Sequence, residues 1–449
     1  MPAKDTPRQR IALSDIMLAS ARAVQAVRSG RSLSDALAAT PPHLRAATQA
    51  ISFHVMRRLG LATEIKALLV RRTPPNALFD ALLQVSLALL DTAFEAAAPD
   101  APERNTSVPV YTVHTVVDQA VQAASGMPAM RPYKSLLNAA LRRFTRERDA
   151  ILTQALRKSV ARHNYPPWWI KQLQQAYPQQ WEALLQAGDR PGPMTLRVNL
   201  RRATVAGVLQ HFVEEGVKAE PVGEAGLVLE QARPVHELPG FEEGWWSVQD
   251  AAAQQAAALL QPFDGAHVLD ACSAPGGKAA HLLEMARVKL LALDNDPLRL
   301  ERVGQNLDRL GLGNADVQLL CADAADPQAW WDGTSFDLVL ADVPCTASGV
   351  VRRHPDIRWL RREADIARTA ALQQRIVAGL WRTVKPGGRL LYATCSIFPQ
   401  EGERQAQRFL DTHADAQRLP APGQILPLPD ANGRSMYDGF FYALFAKRG

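Results

Sequence analysis

The spacing of apolar residues divides the chain into a helical first third and a later region of alternating strands and helices. From Leu44 to Leu59, apolar residues recur every three or four positions, which is the spacing of an amphipathic helix. A second run with this spacing begins after Pro74 and Pro75, a pair that is typical of a helix start. Short polar connectors and the lack of strand-like alternation predict a compact bundle of helices over residues 1–158.

The composition changes near residue 160, where two prolines and two tryptophans follow Tyr165. Residues 166–187 have helical spacing, and the stretch from Gly188 to Pro193 forms a break. Beyond it, the pattern predicts one helix over residues 205–215 and three short strands over residues 194–198, 218–222 and 227–229. These elements indicate a small α+β domain over residues 159–245.

From residue 246 onwards, strand, loop and helix patterns repeat. The predicted strands are residues 267–269, 289–293, 317–320, 336–341 and 389–393. Strands that alternate with helices predict a parallel, doubly wound sheet, so we expect an α/β domain over residues 246–449. Ligands of such sheets bind outside the carboxyl ends of the strands. The residues at those ends therefore carry the most information about function.

Positive charge is concentrated in the predicted helical bundle. The 449 residues carry a net charge of +6, but residues 1–160 contain 21 Lys and Arg against 12 Asp and Glu. The remainder is slightly acidic, with 30 basic against 33 acidic residues. A basic module on a near-neutral body indicates a polyanionic partner, most simply a nucleic acid. A generic basic surface, which helical domains often carry, explains the same count equally well.

Several classes of protein are excluded by the composition. Four cysteines without a CxxC pair give neither a disulfide framework nor a zinc site, so we expect free thiols, no metal and a cytoplasmic location. The most apolar stretch, residues 78–98, is interrupted by Asp80, Gln84, Asp91 and Glu95, and no run approaches the ~18 apolar residues of a membrane span. We therefore expect no membrane partner.

Acidic residues follow four of the predicted strands. Asp270 opens the segment Asp270–Lys278 (DACSAPGGK), in which two glycines let the backbone approach a ligand closely. This loop is neither a Walker A sequence nor a GxGxxG fingerprint. Asp294 lies roughly twenty residues further on, where a carboxylate can accept both hydroxyls of a ribose. Asp323 and Asp342 follow the next two strands. One such aspartate is often a helix cap, but four together favour a nucleoside-containing cofactor.

Two cysteines follow successive predicted strands, Cys345 after Asp342 and Cys395 after the next strand. If these strands are neighbours, both thiols project from one edge of the sheet towards the loop that begins at Asp270. A lone cysteine is usually a small buried apolar residue, which is how we interpret Cys321. Two cysteines at equivalent ends of successive strands are much less likely to arise by chance.

A second basic cluster lies shortly after Cys345. Five arginines and one tryptophan fall within eleven residues: Arg352, Arg353, Arg358, Trp359, Arg361 and Arg362. Arginine with an interleaved aromatic residue suits phosphate contact and base stacking. A solvated helix face is the alternative interpretation, but only Asp356 and Glu363 lie close enough to compensate the charge. The cluster therefore predicts a nucleic-acid contact.

Four motifs give the chain a family resemblance. Asp270–Lys278 (DACSAPGGK), Asp342–Gly349 (DVPCTASG), Arg352–Leu360 (RRHPDIRWL) and Ala393–Ser396 (ATCS) resemble motifs of the Sun/Fmu family of RNA cytosine-5 methyltransferases. The resemblance covers essentially the whole chain. It implies an all-α N-terminal domain like the antiterminator NusB, a small α+β RNA-binding domain and a Rossmann-like α/β methyltransferase domain. The implied cofactor is S-adenosylmethionine, which leaves as S-adenosylhomocysteine.

The motifs and the resemblance together assign cofactor and RNA contacts. The expected cofactor contacts are Cys272, Ser273, Ala274, Pro275, Gly276, Gly277, Lys278, Asp294, Asp323 and Asp342. The expected RNA contacts are Arg352, Arg353, Arg358 and Trp359. Lys278 is expected near the cofactor or the catalytic centre, although a lysine at a helix start explains it as well. Val343 and Thr346 depart from the residues usual in the family, and neither departure removes a reacting atom.

Spacing alone leaves open which cysteine attacks the target base. DNA cytosine-5 methyltransferases use the cysteine of a Pro-Cys pair, which would select Cys345. The resemblance to the RNA enzymes reverses this choice and implies Cys395 as the nucleophile. Cys345 is then implied to assist release of the methylated product, and Asp342 to hold the target base beside the cofactor.

The implied substrate is a cytosine of small-subunit (16S) ribosomal RNA, and we expect the protein to be a monomer. Two alternatives stay open. One is a cytosine-5 methyltransferase of transfer RNA or another RNA, and the other is a non-catalytic RNA-binding factor in ribosome assembly. Loss of Cys395 or a disrupted glycine loop would favour the non-catalytic factor, and the sequence retains both.

Overall fold

The chain divides into two units that are not continuous in sequence. The computed structural model describes residues 11–72, 74–98, 108–430 and 433–449, so the first ten residues of the predicted N-terminal domain lie outside the described residues. One unit, here called the helical unit, ends at Gln174 and also includes His354–Arg361. The other, called the sheet unit, comprises Gln175–Arg353 and Arg362–Gly449. The division into three domains stays a prediction.

The helical unit is built from helices, as the apolar spacing predicted. In chain order they are α1 (Leu13–Arg28), α2 (Leu33–Ala38), α3 (Pro42–Leu69), α4 (Ala77–Ala97), α5 (Val113–Gly126), α6 (Lys134–Ala155), α7 (Ser159–His163) and α8 (Pro167–Ala176). A single apolar core contains residues from α1 to α7. The apolar spacing predicted one helix over residues 166–187, but α8 ends before Tyr177-Pro178 and a second helix starts at Trp181. Proline disfavours the α conformation of the residue before it, which accounts for the break.

Helix α4 is the most apolar helix of this unit. By length and composition, α4 could cross a membrane. Its polar residues argued against a membrane span in the sequence, and 83% of its most apolar window is buried inside the protein. Two of those polar residues are paired with cations from neighbouring helices. Lys66 lies 2.7 Å from Asp80, and Arg148 lies 2.7 Å from Asp91. The bundle packs around α4 as its core helix.

The sheet unit contains the remaining helices and the described strands. Its helices are α9 (Trp181–Asp189), α10 (Val205–Glu214), α11 (Ala251–Leu260), α12 (Gly277–Met285), α13 (Pro297–Leu310), α15 (Glu363–Thr383) and α16 (Glu403–Thr412). The short helix α14 (Ile357–Leu360) belongs to the helical unit. The first four strands are β1 (Thr195–Val198), β2 (Ala219–Val222), β3 (Gly226–Leu229) and β4 (Trp246–Val248). They form an antiparallel sheet in the order β2-β3-β1-β4.

The larger sheet has seven strands. They are β5 (His267–Ala271), β6 (Lys289–Asp294), β7 (Val317–Cys321), β8 (Phe336–Asp342), β9 (Val384–Thr394), β10 (Ala416–Ile425) and β11 (Phe440–Lys447). Their order is β10-β11-β9-β8-β5-β6-β7. Strands β5 to β9 are parallel, as predicted. Strands β10 and β11 add an antiparallel edge that the apolar pattern did not reveal.

An eight-residue segment from the second half of the chain packs into the helical unit. We call residues 354–361 the anchor segment. The Leu33 amide donates a hydrogen bond to Asp356 Oδ2 at 2.9 Å. Trp359 Nε1 donates one to the carbonyl oxygen of Met56 at 2.7 Å, and the Trp359 ring packs against the apolar core of the bundle. The helical unit is therefore completed by residues that lie more than 300 positions away in sequence.

We expect Trp359→Ala to destabilise the helical unit selectively. Truncating a well-buried tryptophan costs about 3–5 kcal/mol, and the partly buried Trp359 should cost roughly 2 kcal/mol. Hydrogen exchange followed by mass spectrometry should therefore show faster exchange in α1 to α3, while β5 to β9 stay protected. Leu298→Ala, which truncates a side chain that is 71% exposed, should change neither region. Unchanged protection of α1 to α3 in Trp359→Ala would contradict an anchoring role.

Candidate active site

The loop after β5 is shaped by a buried carboxylate and by backbone geometry. Asp270 is buried at the end of the strand, and its Oδ2 accepts a hydrogen bond from Ser273 Oγ at 2.9 Å. Gly276 has φ +93, a conformation that side-chain-bearing residues rarely adopt, and a Cβ there would lie 3.0 Å from Val303 Cγ1. Helix α12 starts at the next residue. The glycine thus permits both the turn and close packing of the loop.

Asp294 ends β6 and reaches across to the same loop. Its Oδ2 accepts a hydrogen bond from the Ala274 amide at 3.2 Å, and its Oδ1 accepts one from the Asp296 amide at 3.1 Å. The Arg299 guanidinium lies 3.7 Å from Oδ2. The carboxyl group is therefore fixed beside the glycine loop, which is the position expected of a ribose-binding acid.

The two thiols that the sequence placed at strand ends lie together. Strands β8 and β9 are parallel neighbours, and Asp342 is in register with Ala393. Cys345 Sγ and Cys395 Sγ are 3.4 Å apart. Both cysteines are partly exposed and neither forms a disulfide. The expectation that both thiols project from one edge of the sheet is confirmed.

Asp342 and Lys278 form an ion pair beside the thiols. Lys278 Nζ lies 2.5 Å from Asp342 Oδ2 and 5.4 Å from the centre of the Phe440 ring. Burial alone would lower the pKa of Lys278, but the Asp342 carboxylate, with a smaller contribution from Cys395, outweighs burial and raises it. Lys278 is therefore a fixed cation at the edge of the sheet that carries the two thiols, and it lies in the first turn of α12, which begins at Gly277.

Cys345 is held in its neutral form. Its hydrogen bond with Cys395 is the largest cause that raises the pKa of the Cys345 thiol well above its usual value, followed by burial and by the negative charges of Cys395 and Glu401. The Ala347 amide contacts Cys345 Sγ at 3.4 Å and acts in the opposite direction.

Two cysteines outside this pair differ in their environments. Cys272 lies in the loop after β5 with φ +71, and burial raises the pKa of its thiol. Cys321 ends β7, the outermost parallel strand, and is exposed. The interpretation of Cys321 as a core residue was therefore wrong, because a strand at the edge of a sheet leaves more of its side chains open to solvent.

Asp323 follows β7 at the same edge of the sheet. It is exposed, and its Oδ1 accepts a hydrogen bond from the Ala325 amide at 2.9 Å. This is the turn-capping role that any single strand-end aspartate can have. A cofactor contact by Asp323 stays a prediction.

The arginines after Cys345 have internal partners. The buried Arg352 pairs with Asp438. Arg353 also pairs with Asp438 and lies 2.8 Å from Asp250 Oδ2. The compensating acids thus come from distant parts of the chain, which the local charge count could not reveal. RNA contacts by Arg352 and Arg353 stay predictions, and their ion pairs give those predictions no support.

Arg358 and Trp359 lie in the anchor segment of the helical unit. Arg358 is fully buried, and its guanidinium carbon lies 3.8 Å from the centre of the Tyr165 ring. It also donates a hydrogen bond to the carbonyl oxygen of Asn164 at 3.3 Å. The arginine and aromatic residues that suggested base stacking are used here for packing within the protein. RNA contacts by these two residues stay untested predictions.

Two further residues hold the site and were missed in the sequence analysis. Glu401 is buried, and its carboxyl group accepts hydrogen bonds from Thr346 and Ser396, the residues that follow the two cysteines. Arg197 of β1 is buried and donates to the carbonyl oxygen of Gly277 at 2.7 Å. Each has a partner that is distant in sequence, Thr346 for Glu401 and Gly277 for Arg197, so no local motif marks either residue.

The geometry fits a nucleoside-containing cofactor. Asp270 Oδ1 is buried without a hydrogen-bond partner in the protein, and burial of Asp270 is the main cause that raises its pKa to about 7. The start of α12 is surrounded by Asp270 Oδ1, the turn at Gly276 and the Asp294 carboxyl group. Backbone amide groups point outwards at the start of a helix. Among the described residues, no cluster of His, Cys, Asp and Glu has the arrangement of a metal site.

A parallel sheet with a glycine loop, strand-end carboxylates and a thiol pair at one edge defines a Rossmann-like methyltransferase. The model of a family described as 16S rRNA methyltransferase RsmB/F matches residues 257–446, and that of an RsmF/B-like ferredoxin-like domain matches residues 165–236. The chain is 40% identical to ribosomal RNA small subunit methyltransferase B of Vibrio cholerae, over 97% of this chain and 98% of the relative. It belongs to the RsmB/F family.

Further relatives and solved structures agree with this assignment. The enzyme of the same name from Escherichia coli O6:H1 is 43% identical over 75% of this chain and 78% of the relative. The crystal structure of a protein named PH0851 has a TM-score of 0.75 and 26% identity, over 96% of this chain and 99% of that chain. A methyltransferase homologue from Pyrococcus horikoshii has a TM-score of 0.55 and 27% identity, over 64% and 97%.

We expect Asp270→Asn to stabilise the cofactor-free protein more at pH 8 than at pH 5. The folded-state pKa of about 7 lies above the ordinary value of 3.8. The protonated form of Asp270 therefore stabilises the folded protein. Its contribution to the free energy of unfolding is fully present below about pH 4 and is lost as the pH rises through about 7. Removing the charge should restore on the order of 2 kcal/mol more at pH 8 than at pH 5.

Chemical denaturation of both proteins at the two pH values measures this difference. Asp149→Asn is the control, because that side chain is 98% exposed, and it should shift stability by little at either pH. An Asp270→Asn effect that is equal at pH 5 and pH 8 would show that Asp270 does not titrate in this range.

Proposed function

We propose that this chain transfers a methyl group from S-adenosylmethionine to carbon 5 of a cytosine in small-subunit ribosomal RNA. One observation carries the proposal: two thiols 3.4 Å apart stand at the ends of neighbouring parallel strands. Methyl transfer by itself needs no thiol, but carbon 5 of cytosine is too poor a nucleophile to react unaided. The relatives named for small-subunit ribosomal RNA support this substrate over transfer RNA. The intact thiol pair argues against a non-catalytic factor.

The loop after β5 and Asp294 would hold the cofactor. S-adenosylmethionine supplies, when bound, the electrophilic methyl group of a sulfonium. Residues 272–278 would contact it through the backbone amides around Gly276, with Asp294 on the ribose hydroxyls. Asp270 Oδ1, buried without a partner in the protein, would accept a further hydrogen bond from the cofactor. Asp323 stands at the same edge as a further proposed contact.

Cys395 would act as the nucleophile. Its thiolate adds to carbon 6 of the cytosine, so a carbon–sulfur bond forms while the double bond between carbons 5 and 6 opens. Carbon 5 then becomes electron-rich enough to take the methyl group. The choice of Cys395 over Cys345 rests on the family resemblance.

Cys345 and Asp342 would serve the steps around this addition. Asp342 is placed to bind the amino group or ring nitrogen of the base, and Lys278 at 2.5 Å keeps its carboxylate oriented. After methyl transfer, a base must take the proton of carbon 5, so that the carbon–sulfur bond breaks, Cys395 leaves as a thiolate and the double bond between carbons 5 and 6 returns. Cys345, beside Cys395 Sγ, would assist this elimination. The base must be unstacked to reach these groups.

The helical unit is the better-supported contact for the flanking RNA. Arg142, Arg143 and Arg146 are exposed on one stretch of α6, whereas Arg352 and Arg358 are buried. Phosphate contacts need accessible cations, so the predicted RNA-binding role fits α6 better than the cluster after Cys345. The small antiparallel sheet, which lies in the ferredoxin-like match, is proposed as a second RNA-binding element.

We expect Asp294→Ala to weaken S-adenosylmethionine binding by well over tenfold. Hydrogen bonds to charged groups contribute ~1.5–3 kcal/mol each, and the variant loses both the ribose contacts and the bond to the Ala274 amide. Titration calorimetry measures the affinity. Asp294→Asn, which can still accept from Ala274, should lose less. Equal cofactor affinity in wild type and Asp294→Ala would exclude this ribose contact.

The two cysteines should respond differently to truncation. Cys395→Ala should abolish methylation and any covalent adduct, because no thiolate then reaches carbon 6. Cys345→Ala should still attack through Cys395 but release slowly, so a covalent protein–RNA complex should accumulate. A denaturing gel with labelled RNA and cofactor detects the complex. The exposed Cys321 provides the control, and Cys321→Ala should behave as wild type.

Two outcomes would contradict these roles. If the trapped band appears with Cys395→Ala and is absent with Cys345→Ala, the cysteines have the opposite roles, as in the DNA enzymes. If neither variant changes methylation or trapping, the reaction does not proceed through a covalent adduct with either residue.

A further inference from the structure

The thiol pair is flanked by a single buried carboxyl group. Glu401 is fully buried at the end of the turn Pro399–Glu401. Its Oε1 accepts hydrogen bonds from the Thr346 amide at 2.8 Å and from Thr369 Oγ1 at 2.6 Å. Its Oε2 accepts hydrogen bonds from Thr346 Oγ1 at 2.5 Å and from Ser396 Oγ at 2.7 Å.

Two of these donors are the residues that directly follow the two cysteines. Thr346 follows Cys345, and Ser396 follows Cys395. One carboxyl group therefore holds both loops immediately beyond the reacting sulfur atoms. We infer that Glu401 is a positioning residue for the thiol pair, and that its hydrogen bonds to Thr346 and Ser396 set the placement of Cys345 relative to Cys395.

Glu401 is itself fixed from two sides. Tyr392 of β9 donates its hydroxyl hydrogen to the Glu401 carbonyl oxygen at 2.7 Å. Gln373 of α15 donates to Glu401 Oε1 at 3.3 Å and to the carbonyl oxygen of Pro344, the residue before Cys345, at 2.9 Å. Strand β9 and helix α15 are regular elements of the sheet unit. They give the carboxyl group a rigid support, which precise placement of reacting groups requires.

Because Glu401 is buried, it can position the cysteines but cannot take part in the reaction directly. A fully buried side chain cannot touch the RNA base, and its hydrogen bonds go to Thr346, Ser396 and α15 rather than to either sulfur atom. The proposal rests on the proposed two-cysteine reaction, in which addition and elimination need both thiols at one base. Moving a reacting group by about 1 Å can reduce the rate of a reaction that depends on its placement roughly 10²-fold.

A dithiol reagent tests the placement without any methylation. Phenylarsine oxide reacts with two thiols: two arsenic–sulfur bonds form, the arsenic–oxygen double bond breaks, and the oxygen leaves as water with both thiol protons. No oxidant is needed. The reagent binds tightly only where two sulfur atoms are close enough to bond to the same arsenic atom. Intact-mass titration of the full chain should show one tightly bound arsenical in wild type and none in Cys345→Ala.

Variants of Glu401 should change this binding in a graded manner. Glu401→Ala should weaken arsenical binding at least tenfold, because it removes the shared acceptor of both loops. Glu401→Gln should stay within threefold of wild type, since the amide keeps the shape and the two hydroxyls can reverse their hydrogen bonds. Glu403→Gln is the matched control, because that nearby glutamate pairs with Arg418 at the surface, and it should match wild type.

Methylation kinetics give the second measurement. With saturating RNA and cofactor, Glu401→Ala should reduce kcat about 100-fold while KM for RNA and the cofactor affinity change less than threefold. Glu401→Gln should recover most of the rate. A purely structural role for Glu401 would instead lower cofactor affinity and thermal stability together with activity.

Thr346→Val tests the same positioning role if Glu401→Ala does not fold. That change removes the hydroxyl that donates to Glu401 Oε2 and keeps the Thr346 amide that donates to Glu401 Oε1. It should weaken arsenical binding and kcat about threefold to tenfold. Wild-type arsenical binding in a folded Glu401→Ala or, failing that, in Thr346→Val would overturn the proposal. If wild type binds the arsenical but does not methylate ribosomal RNA, the proposed function fails while the positioning role stands.

Discussion

The parallel register of β8 against β9 is the constraint on which the site depends. It pairs Asp342 with Ala393, so the chain leaves both strands at the same edge of the sheet. Cys345 and Cys395 then follow at nearly equal distances from the paired residues, and their sulfur atoms meet at 3.4 Å. A one-residue slip would turn every side chain of a strand to the opposite face. The thiol pair is therefore a property of the sheet register as much as of the two cysteine motifs.

Much of this arrangement could be predicted from the sequence, because it follows from periodicity and from one rule of topology. Parallel strands end at one edge, so strand-end residues such as Asp294, Asp342 and Cys395 had to converge. The five parallel strands were placed correctly on the same reasoning. The added antiparallel edge was not, because β10 contains polar residues and two prolines in place of an apolar run, and β11 runs antiparallel to β9.

The features of the site that could not be predicted depend on contacts between residues that lie far apart in the chain. A local count of charges around Arg352 and Arg353 found few acids, yet Asp250 and Asp438 neutralise them. No neighbouring residue marks Glu401 as the acceptor shared by the two cysteine loops, because its donors lie up to 55 positions away. Sequence spacing found the two cysteines at neighbouring strand ends, because that prediction needs only the strand pattern and the residue type. The residues that hold them can be found only from contacts.

The stretch from Cys345 to Arg361 shows how one sequence motif can serve two units. Its first part, through Arg353, belongs to the sheet unit and is tied there by ion pairs to Asp438. Its second part, the anchor segment, completes the helical unit through Trp359 and the fully buried Arg358. Arginine suits the second task as well as phosphate binding, because its planar cation stacks on an aromatic ring such as Tyr165. A truncation that removed the N-terminal helices would therefore leave the apolar and cationic residues of the anchor segment without their partners, a few residues beyond Cys345. The helical unit should accordingly be varied by surface substitutions on α6 rather than deleted when its contribution to RNA binding is measured.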